Sequence, residues 1–105
     1  MGGRPLPPQA LQRIKGWMRS RHVVCKGHFL VMESLEQGAI DRFSACVEAL
    51  GGSLIGVEAC GRWTVGNRNL VVLRARASLM SGYWPELVGF WAENGAPYSR
   101  FDVRG

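Results

Sequence analysis

From about His28 to Arg104 the hydrophobic period switches between two values, in the order strand, helix, strand, strand, helix, strand. No other feature limits the fold as much. A period of two sends residues to alternate faces of a sheet, and a period near 3.6 makes one apolar stripe along a helix. The pattern predicts an α+β domain in which a sheet and its helices close a core between them. A chain of 105 residues supports one such core.

The individual stretches can be read from their punctuation. His28 to Glu33 is a short apolar run that predicts a strand buried on both faces. Ser34, with Gln37 three residues on, matches the spacing of a capping box. Ile40, Phe43, Val47 and Leu50 then form a helical stripe with Cys46 as a small core hydrophobe, and Gly51-Gly52 stops it. Leu87, Val88 and Trp91 give a last helix its apolar side, with Pro85 in the first turn and Asn94-Gly95 at the end. Tyr98 to Arg104 alternates and predicts a half-buried edge strand.

Between the helices lies a hairpin, Ser53–Val65 and Asn69–Ala77. A three-residue loop pairs Val65 with Asn69 and Glu58 with Arg76. Ile55, Val57, Ala59, Trp63, Val71, Leu73 and Ala75 then share the core face. Leu54, Glu58, Cys60, Arg62, Leu70, Val72, Arg74 and Arg76 share the other. A two-residue Gly66-Asn67 turn without a bulge near Gly61 sets Arg74 against Ala59, which mixes charge into the apolar side. The longer loop is therefore expected.

This plan is similar to the ferredoxin-like βαββαβ arrangement. It implies a four-stranded antiparallel sheet in the order 4-1-3-2 with both helices on one face. Ile40, Phe43, Val47, Leu87 and Trp91 are expected against Val57, Val71, Leu73, Phe101 and Val103. Residues 27–105 form this domain, and residues 1–26 a basic arm. Leu11, Ile14 and Met18, with Trp17 beside them, predict a short N-terminal helix in the arm. That helix, a second copy of the chain or a ligand is expected to cover the second sheet face, where apolar and arginine residues mix.

Charge narrows the partners. Six of thirteen basic residues, Arg4, Arg13, Lys15, Arg19, Arg21 and Lys26, precede the first carboxylate, Glu33, and the net charge is +5. Such a field attracts polyanions, whether nucleic acid, an anionic membrane surface or an acidic protein. Arg62, Trp63, Arg68, Arg74, Arg76, Tyr98, Arg100 and Arg104 are the candidate nucleic-acid contacts. The third strand lacks the stacking aromatics of an RNA recognition motif, so only electrostatic binding with little base readout is expected.

Chemistry has less support. His22, Cys25 and His28 fall at steps of three, but a structural zinc site needs four paired ligands, so no metal is expected. Neither histidine belongs to a catalytic motif and no phosphate loop is present, so no cofactor is expected and an enzyme is disfavoured. Glu33, Glu58, Cys60 and Trp84 are the residues to inspect should a pocket form. No apolar run spans a bilayer, and with no apolar h-region near the start a secretory signal peptide is not expected. An odd number of cysteines favours a reducing cytoplasm. The expectation is a small, dimeric, non-enzymatic module that engages a polyanion through the arm and the arginine-bearing face. The alternative is a small-molecule-binding or enzymatic domain with an aromatic-lined pocket at the sheet or dimer interface, and a third class is an adaptor that captures a protein through the arm helix.

Overall fold

Two glycines in the left-handed region close two hairpins, and these hairpins make the sheet. Gly27 (φ 62°) opens the two-residue turn Gly27-His28, and Gly66 (φ 61°) opens Gly66-Asn67. Both stand at the first central position, where a mirror-image turn needs a residue without Cβ. The first turn joins β1 (Val23–Lys26) to β2 (Phe29–Ser34), and the second joins β3 (Ser53–Val65) to β4 (Arg68–Ser78). The computed structural model describes residues 6–79 and 82–94, the side chains of Trp63 and Val65 excepted.

The fold is α+β: an open, four-stranded antiparallel sheet with three helices, α1 (Pro7–Arg19), α2 (Gln37–Ala49) and α3 (Tyr83–Asn94). The strand order is β1-β2-β4-β3, which corrects the expected 4-1-3-2. The neighbours β2-β4-β3 match the expected first, third and second strands. The place beside β2 is taken by β1, from the segment assigned to the arm. A two-residue turn closes this pairing with almost no loop entropy, and Val23, Val24 and Cys25 are apolar enough to be buried by it. The expected strand Tyr98–Arg104 lies outside the described residues.

The β3–β4 register is a second correction. Val65 pairs with Arg68 across the two-residue turn, so the three-residue loop is not formed. Register shifts between Ala59 and Gly61 and between Leu54 and Gly56 then move the count. Extra residues at Cys60 and Ile55 bring Ala59 opposite Leu73, Glu58 opposite Arg74 and Leu54 opposite Ala77. The bulge thus keeps Arg74 off the apolar side while preserving the tight turn. The extra residue Ile55 moves Leu54 to the helix side, where it packs on the core, and the tight turn sets Arg62 opposite Val71 on that same side.

All three helices line one face. Ala10, Leu11, Ile14 and Met18 of α1, Ile40, Phe43, Cys46 and Val47 of α2, and Leu87 of α3 are buried against Val23, Cys25, Leu30, Met32, Ala75 and Ala77. The stripe of α1 therefore completes the main core rather than covering the opposite face. Lys15 of α1 pairs with Glu86 of α3, and Arg19 sits over the Phe90 ring, so part of the arm's charge is spent within the helix layer. Helix α2 begins at Gln37 without a side-chain cap. Ser34 ends β2 instead, its hydroxyl accepting from the Glu36 N–H at 3.0 Å. Val57 and Val71, expected beneath helices, are exposed. No helix among the described residues is long and apolar enough to cross a membrane.

Candidate functional site

Strict alternation along β4 places Arg68, Leu70, Val72, Arg74 and Arg76 on the face away from the helices. The ladder sets Arg74 between Glu33 of β2 and Glu58 of β3, and Arg76 between Val31 and Gly56. Val24 and Val31 share this face, with Phe29 beside them, and Trp91 of α3 packs against that apolar group from the β1 edge. The middle of the face is therefore buried. Its rim is not: Lys26, His28, Glu58, Arg68 and Arg76 are exposed.

Glu33 is the only charged side chain in the buried set of the described residues, at 1 % exposure. Burying a carboxylate is costly without charged or hydrogen-bonding partners, and here partners exist. Arg74 Nη2 donates to Glu33 Oε2 at 3.2 Å, and the Cys60 thiol reaches the same oxygen at 3.5 Å. Cys60 can do so because it is the extra residue of the β3 bulge. Three of the four pocket candidates, Glu33, Glu58 and Cys60, thus come together around Arg74. Trp84 does not join them; it packs on the core on the helix side.

A cleft of about 370 Å³ opens at the turn end of this face, lined by Lys26, Gly27, His28, Phe29, Val31, Arg74 and Arg76. The Arg76 guanidinium carbon stands 5.9 Å from the centre of the Phe29 ring. The cleft therefore offers an aromatic surface within a group of cations. Of the candidate nucleic-acid contacts, Arg74 and Arg76 meet here. Arg68 is at the far turn on the same face, and Arg62 is on the other side of the ribbon. Tyr98, Arg100, Arg104 and the Trp63 side chain lie outside the described residues. Sequence reasoning counted Lys26 only in the charge of the arm and missed His28 and Phe29 as contacts. The signal was the Gly27-His28 pair between two apolar runs, a two-residue hairpin signature.

A second cleft, of about 380 Å³, lies between the end of α1 and the start of α2 and includes Trp17, Ser20, His22, Glu36 and Arg42. Its Ser20 hydroxyl is 2.8 Å from His22 Nδ1 and donates to the Trp17 carbonyl at 2.9 Å. The hydroxyl has one proton, so it donates to one of these two acceptors at a time. His22, Cys25 and His28 do not gather into a metal site, and no cluster of three or more metal-ligating side chains occurs among the described residues. Cys25 faces the helices, where burial raises its thiol pKa to about 12. Burial also raises that of Cys46, partly offset by the charge of Arg13. Neither is a ready nucleophile or ligand. Comparison with protein-family models, with curated proteins and with solved structures gave no match.

Proposed function

We propose that this chain is a small binding module that holds a polyanion, nucleic acid foremost, along the arginine-bearing face of its sheet. One observation carries the reading. Arg74 and Arg76 share a cleft with Lys26 and His28 around the Phe29 ring, with Arg68 further along the same face of β4. Cations in a row attract phosphates, and a ring among them gives a base a surface to stack on without reading its identity. Arg74 is held by Glu33, which fixes its direction while about a quarter of its side chain, 27 %, stays exposed. Arg76 and Arg68 carry the accessible charge. Three free cysteines support work in a reducing compartment.

The size of the cleft favours a second reading, a compact anionic ligand with a planar group, since small-molecule sites begin at roughly 300 Å³. Binding of labelled single-stranded RNA and DNA across a salt series separates the two. About three phosphate contacts on a single strand give a slope near −2 for log K against log salt. No binding of either strand at low salt would defeat the polyanion reading. Saturable binding of a mononucleotide with little salt dependence would establish the second.

A further inference from the structure

The two outer strands of the sheet are finished in different ways. β1 is four residues long, and α3 lies over it: Trp91 packs against Val24, and the Cys25 thiol points to the Leu87 carbonyl. β3 is thirteen residues long, and its only ladder partner among the described residues is β4. Five consecutive residues, Ile55 to Ala59, are exposed, with Ile55 at 50 % and Val57 at 43 %. Val71 of β4 is exposed behind them on the helix side. From Ser53 to Ala59 the edge carries neither lysine nor proline and a single charge, Glu58, and the extra residue Ile55 is the one irregularity of its ladder over this stretch. A long outer strand presents backbone N–H and C=O groups that only another strand matches in spacing.

We infer that the outer edge of β3 pairs antiparallel with β3 of a second copy, joining two sheets across a two-fold axis. The axis is normal to the sheet, so each face keeps its side and opposed residues must point the same way. Centred on Val57, the pairing sets Val57 against its own copy and Glu58 against Gly56 of the other chain. Centred on Glu58, it would set two carboxylates against each other, which is destabilising. The charge pattern therefore excludes the Glu58 register, and the Val57 register places an exposed apolar side chain against its own copy. About Val57 the exposed residues Ile55–Ala59 pair with the same residues of the second copy; this short stretch spans roughly 17 Å at the strand rise, a small interface, so a dimer in the micromolar range is expected. The arginine faces of the two copies then lie on one side of the joined sheet.

Sedimentation equilibrium of the full chain from about 5 to 200 µM tests this, with concentrations set by the affinity class. The wild type is expected to pass from monomer to dimer over that range. Val57→Lys is expected to stay monomeric while keeping its circular dichroism and melting temperature, since Val57 is already exposed. Val57→Cys is expected to form a covalent dimer in air, which the wild type does not, because residues opposed in a ladder stand about 4.5–5.5 Å apart at Cα. A wild type monomeric at every concentration overturns the inference. So does a dimer that survives Val57→Lys, which would place the contact on another surface.

Discussion

Glu33 on β2 and Arg74 on β4 stand opposite each other in the ladder, and the guanidinium donates to a carboxylate oxygen 3.2 Å away. The two ends of this pair differ: the carboxylate is enclosed, while about a quarter of the arginine side chain reaches solvent at 27 % exposure. An ion pair of this kind adds little over a well-packed apolar pair, but removal of one partner strands the other.

Arg74→Met is therefore expected to cost about 3 kcal/mol, because it leaves the enclosed Glu33 without its cation. Glu33→Gln keeps shape and an acceptor, so it should cost less, about 1–2 kcal/mol. The double change Glu33→Leu with Arg74→Met should cost less than Arg74→Met alone. Urea unfolding of these variants and of Glu33→Leu alone checks the order, and losses that add from the Glu33→Leu and Arg74→Met singles to the double would show that the two side chains act separately.

Two glycines should respond to alanine with opposite sign. A Cβ on Gly52 would lie 2.1 Å from the Ser78 carbonyl oxygen and 2.9 Å from Leu79 Cδ2, a clash with backbone that cannot swing away. Gly52→Ala should lose 2 kcal/mol or more, within the range of overpacking. Gly16, inside α1, has nothing within 4 Å of such a Cβ. Gly16→Ala should gain about 0.5–1 kcal/mol, from helix propensity and reduced freedom of the unfolded chain. Thermal melts of both variants decide the matter.

The cysteines should separate by reactivity. At pH 8, a maleimide or iodoacetamide should label half-buried Cys60 first and leave Cys25 and Cys46 protected until the chain unfolds. The same burial gives a pH dependence. In the unfolded chain the Cys25 thiol ionises at its ordinary 9.0, whereas in the fold it stays protonated up to about 12. Between those values the unfolded state binds fewer protons, so stability should be full below pH 9.0 and fall as pH climbs toward 12. Cys25→Ser should flatten part of that fall in a urea series across the window.

Arg76 should matter more to polyanion binding than any cation on the helix layer. Arg76→Ala should lower single-strand affinity several-fold and reduce the magnitude of the salt slope by about 0.7, one phosphate contact. Arg42→Ala, on α2, should leave both unchanged. Equal effects from the two variants would mean that net charge, and not this face, governs binding.

Residue spacing determined much of this protein. The stripe Ile40, Phe43, Val47 made α2 legible, and the alternation of β4 made the common face of Arg74 and Arg76 legible, because both follow from the fixed geometry of a local element. The Gly27-His28 turn was legible too, though its consequence was overlooked. The choice of a tight turn with a bulge at Cys60 over the longer loop was not, because an extra residue in a ladder is chosen by comparing whole registers, and that comparison depends on what covers each face. For the same reason only the tertiary structure could enclose Glu33, bring Cys60 to its oxygen and set Phe29 beneath Arg76. These contacts join residues far apart in the chain, and the packing of the whole sheet decides them, where local period has no say.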